Sequence, residues 1–434
     1  MKATEMLPAR SYRRRLGPLL ACVALAACTG ELADDTPRRR ALIIGIDGAA
    51  PSVVNRLMLE GRLPNLVDLS IGGLFAPLQS QPPYISPRLW NSIATGKIPK
   101  KHGIDGFTRK VGGRQVPLLS SDRKVPALWN IVSDAGYRVA VINWWNTYPP
   151  ERINGIMVSD HARRPTDTRF APHIVAAKGS GALVHPEEWS ERLRGLLADD
   201  TPVVEFDNPF GDAVDLQPYV NMTVLSQVFL SDMATTRVAL AAEREFQPDL
   251  MLVFLPGIDR VSHRLWGSLE PIELYDETIR PTPAQHAAGA RAMDAYYAYT
   301  DALIGALVSR LGPDDLVLVL SDHGFERGSA EEELTGTHWS AKARQAVLFA
   351  RGRDIEDLQP RTRLTLNDIT PTVLAWFGLP VARDMDGSPA PFLGLPPAAT
   401  VATYDGASIE RLGAGPSSKE EEILDELRAL GYIE

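Results

Sequence analysis

Four short stretches of this sequence carry side chains able to bind a cation or attack an ester. Asp47 sits between Gly45-Ile46 and Gly48 at the end of an apolar run, where a carboxylate can reach a metal without obstruction. The competing role for Asp47 is the N-cap of the next helix. Ser86 precedes Pro87 and a helical pattern, so it falls at a helix N-terminus, where backbone N–H groups and the helix dipole favour phosphate and a developing alkoxide. A serine becomes a nucleophile only when activated, and metal coordination can do that. Capping alone is the commoner use of such a serine. Asp259 and His263, four residues apart, share one face of a helical turn and offer an oxygen and a nitrogen donor. Asp322 and His323 are adjacent after another apolar run, relieved by Gly324, and His338 follows in Gly336-Thr337-His338-Trp339. Three Asp, three His and one Ser at the ends of apolar runs suit a site where two cations clamp the attacking and leaving oxygens of a displacement.

These residues need a scaffold that delivers strand ends to one place. Residues 41–46, 137–143, 249–255, 315–320 and 345–350 are short β-branched or apolar runs that read as buried strands. Helical patterns cover residues 51–59, 127–135, 284–311 and 368–377, the last closed by Gly378. The alternation predicts an α/β fold: a doubly wound, mostly parallel central sheet flanked by helices, with ligands at the carboxyl ends of the strands. Residues 40–146 and 247–434 are expected to form this core. Residues 147–246, rich in Pro, Asp, Arg and Gly, break the rhythm and read as an inserted cap. Residues 419–430 form an amphipathic tail helix.

The chain has 434 residues, 44% apolar and 23% charged, an ordinary globular composition. Arg13-Arg14-Arg15 and the apolar run Leu16–Ala27 form an export signal, since the run is shorter than the roughly 20 residues that span a bilayer. Its Leu25-Ala26-Ala27-Cys28 ending resembles a bacterial lipobox, which implies lipidation of Cys28 after removal of residues 1–27, and a tether over residues 28–39. The expected product is a lipoprotein anchored to a membrane and facing the periplasm. The two cysteines are Cys22 and Cys28, so the mature chain has no disulfide and no cysteine ligand. The net charge is −9; residues 1–27 carry Lys2, Arg10, Arg13, Arg14 and Arg15 against Glu5, a net of +4, leaving −13 for the remainder. Such a chain is a poor partner for a nucleic-acid polymer. An anionic substrate would need local positive charge, which metals supply.

Taken together, Gly-Ile-Asp-Gly at 45–48, Ser86-Pro87 with Trp90, Ala94-Thr95-Gly96, Pro99 and His102-Gly103-Ile104, then Asp259…His263, Ser321-Asp322-His323-Gly324-Phe325 and Gly336-Thr337-His338 resemble the type I phosphodiesterase/nucleotide pyrophosphatase branch of the alkaline phosphatase superfamily. The resemblance covers roughly residues 40–145 and 248–390. It implies two divalent metals, Zn²⁺ by preference. One would be held by Asp47, Ser86, Asp322 and His323, and the other by Asp259, His263 and His338. Ser86 would be the catalytic nucleophile, forming a phosphoseryl intermediate on a small phosphate-ester substrate. Relatives place a phosphate-binding Asn where this chain has Phe107. They place Lys or Arg, in the monoesterases, where it has Asn143-Trp144-Trp145-Asn146. That departure mildly favours a diester or pyrophosphate over a monoester. Arg88 is a candidate replacement for the missing donor, and Trp145 a candidate surface for a substrate ring.

Ser159-Asp160-His161 repeats the metal tripeptide without its glycine and is assigned no metal; His102 is read as structural. A sulfatase needs Pro and Arg at the second and fourth positions after its modified residue. Here they are the first and second after Ser86. The same residues leave open a monoesterase or a headgroup transferase on this metal centre, and a lipoprotein that binds a ligand without catalysis.

Overall fold

The computed structural model describes residues 39–162, 164, 182–210, 222–328, 335–356, 362–406, 409, 420–430 and 433. The export signal, Cys28 and the tether up to residue 38 lie outside them. Nine strands form the main sheet: β1 (Ala41–Ile46), β2 (Leu74–Gln79), β3 (Val139–Ile142), β4 (Gly155–Val158), β5 (Val184–His185), β6 (Leu250–Leu255), β7 (Leu316–Leu320), β8 (Gln345–Arg351) and β9 (Leu364–Thr365). Their spatial order is β9-β2-β8-β7-β1-β6-β3-β4-β5. The block β7-β1-β6-β3-β4 is parallel. β8 runs against both its neighbours, and β5 against β4.

Every residue of β1, β6 and β7 is buried, as continuous apolar runs require when both faces of a parallel sheet are covered. Side chains alternate between two cores. Leu42, Ile44, Val253 and Val319 face one of them with Val54 of α1 (Pro51–Leu59) and Leu303 of the long helix Pro283–Val308. Ile43, Leu252 and Leu318 face the other, with Trp90, Trp129 and Val373. This is the doubly wound arrangement expected from the alternation. Among the described residues no helix is long and apolar enough to cross a membrane.

The stretch 147–246, expected as an inserted cap, supplies part of the sheet itself. β4 and β5 come from it, and the helix Met222–Phe246 contributes Leu225, Val228, Met233 and Val238 to the first core. Residues Arg39–Glu434 accordingly cluster as one unit. The short β4 is too brief to stand out from a proline- and charge-rich surround. β2 was likewise hidden, because Pro77 interrupts its apolar pattern; in the sheet Pro77 lies opposite Val347 with its side chain exposed.

A buried polar knot closes the β3 side. The Arg123 guanidinium is paired with Glu151, both side chains fully buried. Glu151 also accepts from Trp129 Nε1 at 2.6 Å and Asn130 Nδ2 at 2.9 Å, and Arg123 lies over the Trp129 ring at 4.8 Å. Removing one partner strands the other charge in a dry interior. Glu151→Ala is expected to cost about 3–5 kcal/mol in urea unfolding, and replacing Arg123 and Glu151 together by apolar residues to recover much of that. Equal losses in the single and double variants would contradict this account.

Candidate two-metal active site

Strand register brings the site together. Ile46 lies opposite Leu255, and Gly45 opposite Leu320, so β1, β6 and β7 end at one edge. Asp47 leaves β1 with its N–H bonded to Leu255 O at 3.1 Å. Gly48 then turns at φ +67°, where a Cβ would stand 2.9 Å from the Phe325 ring and 3.2 Å from Asp259 Cα. Glycine here permits both the left-handed turn and the close approach of Asp259. Asp259 and His263 lie one turn apart on the helix Gly257–Leu265, which starts two residues after β6. Asp322 and His323 follow β7 directly, and Gly48 N–H donates to Asp322 Oδ1 at 3.3 Å. His338 follows Gly336–Thr337, paired antiparallel with Glu326–Arg327. Gly336 packs so tightly on the Gly257–Leu265 helix that a Cβ would fall 2.6 Å from Ser262 O.

Ser86 is the first residue of the helix Ser86–Thr95, whose N-cap position is Ile85. Its hydroxyl caps nothing. It donates to Asp47 Oδ1 at 3.2 Å and is buried. Asp47 does not cap either, since the helix that follows it starts from Ala50 without a side-chain cap. The far end of the Ser86 helix is clamped by the buried Lys97, whose Nζ lies 2.7 Å from Asp384 and 2.6 Å from Asp405. Thr370 also donates to Ile93 O at 2.7 Å.

The seven expected residues are thus brought together. His323 Nε2 is 3.4 Å from Asp47 Oδ1, 3.5 Å from Asp322 Oδ2 and 4.0 Å from Asp259 Oδ1. Asp259 Oδ1 is 3.5 Å from His263 Nε2 and 3.8 Å from His338 Nε2. Two overlapping donor groups result, Asp259-His263-His338 and Asp47-Asp259-His323. Asp259 therefore faces both groups, whereas the resemblance assigned it to one.

The donor atoms fit cations. Asp47 Oδ2, Asp322 Oδ2 and His323 Nε2 are buried without a hydrogen-bond partner, an arrangement that costs free energy unless a charge fills it. Two imidazoles are oriented from behind. His263 Nδ1 lies 3.1 Å from Gly336 O, and His323 Nδ1 2.9 Å from Gly324 O. A carbonyl only accepts, so Nδ1 carries a proton in each ring and Nε2 is the atom turned inward. His263 and His338 aim their Nε2 atoms at each other across 3.2 Å, a pairing that two lone pairs tolerate only around a proton or a cation. The electrostatics agree. Burial, then the Asp47 charge, pushes Asp322 well above the usual carboxylate range. Burial draws His323 down, but Asp322, Asp47 and Asp259 outweigh it and bring it up to about 10. Burial and the neighbouring His323 and His263 hold His338 well below the ordinary imidazole value. A proton trapped among carboxylates stands where a metal's charge would serve.

The expected substrate contacts divide. Arg88 is paired with Asp105 and also reaches Pro82 O at 3.4 Å, so its guanidinium is engaged outside the cluster. Phe107 is half-buried and meets Trp145 edge-on at 5.7 Å, and Trp145 lies 6.2 Å from Phe254. Trp144 is buried against Trp90. His102 is a core residue beside Ser92 Oγ at 3.1 Å, and burial lowers it to about 3. Asp160 accepts from Asn146 N–H at 2.7 Å, and Asn146 Oδ1 accepts from Asn91 of the Ser86 helix at 2.7 Å. That support and the packing of Phe325 on His263 and His338, at 5.0 and 5.3 Å, were missed. Ser-Asp-His-Gly-Phe carried the second signal, and nothing local carried the first.

The model of the type I phosphodiesterase/nucleotide pyrophosphatase family matches residues 41–375. No curated protein matches the chain. The fold is similar to that of wild-type alkaline phosphatase PafA, with a TM-score of 0.53 at 12% identity, covering 81% of this chain and 98% of that one. It is also similar to a sulfatase candidate from Bacteroides thetaiotaomicron, with a TM-score of 0.50 at 13% identity over 82% of this chain and 75% of that one. The sheet, its helices and the family match agree: the chain belongs to the type I phosphodiesterase/nucleotide pyrophosphatase family.

Proposed function

We propose that this protein is a two-metal phosphodiesterase or pyrophosphatase that works through a phosphoseryl intermediate on Ser86. The observation that supports this most is the Ser86 hydroxyl. It lies at a helix N-terminus, is spared from capping, and points at Asp47 within a cluster of buried acids and imidazoles. Asp47, Ser86, Asp322 and His323 would hold one cation, Asp259, His263 and His338 the other, with Asp259 near both. An oxygen and nitrogen donor set without sulfur suits Zn²⁺. When bound, such a pair lowers the pKa of the attacking hydroxyl and of water and neutralises charge on the phosphoryl oxygens.

The chain's own groups do the rest. Asp47 orients the Ser86 hydroxyl and accepts its proton. The first turn of the Ser86 helix directs N–H groups toward the phosphoryl oxygens. Gly336 O and Gly324 O fix the His263 and His323 rings. Phe325 and the buried ends of β1, β6 and β7 exclude bulk water. Asn143-Trp144-Trp145-Asn146 stands where monoesterases place Lys or Arg, which supports a singly charged diester over a dianionic monoester. For the N-terminus, we propose lipidation at Cys28 and a periplasm-facing anchor.

Ser86→Ala is expected to reduce hydrolysis of bis-p-nitrophenyl phosphate by at least about a thousandfold in a folded protein. Full activity in that variant would end the covalent mechanism. Metal analysis of the zinc-loaded mature chain should find about two ions, and fewer than one would contradict the centre. Turnover of the diester should exceed that of p-nitrophenyl phosphate and p-nitrophenyl sulfate, and a faster sulfate reaction would reverse the substrate class. Cys28→Ser should release the protein from the membrane fraction, and unchanged membrane recovery would refute the anchor.

A further inference from the structure

Trp339 follows His338 and is 65% exposed. Isolated exposed apolar side chains are ordinary, but two features separate this one. The first is its place. The indole stacks on His338 with centroids 5.3 Å apart and planes 27° from parallel, and His338 stacks on His323 at 4.0 Å and 21°. The three rings form a column. Exposure climbs along it from 0% at His323 through 5% at His338 to the open indole. His263, the one half-buried member of the cluster, lies beside the middle ring. The indole therefore stands at the rim where the cluster meets solvent.

The second feature is its support. Before Trp339, Gly336–Thr337 is paired with Glu326–Arg327 and pressed on the Gly257–Leu265 helix. After it, Ser340 donates its N–H and its hydroxyl to the Glu326 carboxylate at 2.7 and 2.6 Å. The backbone is anchored on both sides of a ring that rests on His338. A large aromatic surface held in place loses little freedom when a second ring is laid on it.

We infer that Trp339 is a stacking subsite for a planar aryl group carried by the substrate ester. This deepens the phosphodiesterase reading and rests on it. The test is calorimetric binding of phenylphosphonate and methylphosphonate to the zinc-loaded full chain. The wild type should bind phenylphosphonate more tightly. Trp339→Ala should weaken phenylphosphonate about tenfold and methylphosphonate by less than about twofold, and Trp339→Phe should keep most of the preference. A wild type without the preference, equal weakening of both ligands, or a preference that survives in Trp339→Ala would each overturn the subsite. Bis-p-nitrophenyl phosphate turnover is assayed separately. Its absence alongside an intact, Trp339-dependent preference would remove the diesterase reading and support the subsite.

Discussion

Three carboxylates buried side by side cannot remain ionised without positive charge between them, and the architecture around Asp47, Asp259 and Asp322 follows from that constraint. Each is fully buried. In a low-dielectric interior an uncompensated carboxylate costs several kcal/mol. The fold meets this with imidazoles turned inward by carbonyls, and with donor atoms left open toward shared points. Gly48 lets the β1 loop touch the Asp259 backbone, and Gly336 lets the His338 segment touch the same helix. Phe325 closes the wall against three of the rings. Loosening any of these would spread the carboxylates and let water in.

The nucleophile depends on the same constraint from the other side. Ser86 is delivered by a helix held just past its C-terminus by Lys97 with its two aspartates and at its middle by Asn91 with Asn146. Asn146 adopts φ +57°, and Asp160 bonds its N–H. A tripeptide that resembles a metal motif thus serves as backbone support. Charge at Asp160 is spent on two loop N–H groups and a hydroxyl rather than on a cation.

Much of this was readable in advance where one physical pattern dominated a short stretch. Buried strands write themselves as unbroken apolar runs whether their neighbours are parallel, as for β1, β6 and β7, or antiparallel, as for β8, so these four were evident, and so were the Asp and His residues that follow β1, β6 and β7. The same logic failed for β2, where Pro77 breaks the run, and for β4 and β5, which are short and set among charges. Contacts between distant segments left no local trace. The engagement of Arg88 by Asp105, the sharing of Asp259 between two groups, and the Asn91-Asn146-Asp160 chain depend on which loops meet, and spacing does not encode that. Trp339 was visible only as the neighbour of His338. Its exposure and its stacking needed three dimensions.

The position of β1 has a consequence for how the chain acquires its shape. Both neighbours of this strand come late: Ala41 pairs with Leu250 on one side and with Leu316 on the other. A ribosome delivers residues in order, so a wholly apolar strand waits with two open edges until Leu250–Leu255 has been made. Pairings so distant in sequence are slow, and open apolar edges invite association with other chains. The strand that anchors the finished sheet is thus a liability during synthesis, because neither of its edges can be paired early. More local pairings, such as β3 with β4 and β7 with β8, need far shorter stretches of chain, whereas β1 can take its place only once Leu250 and Leu316 are available.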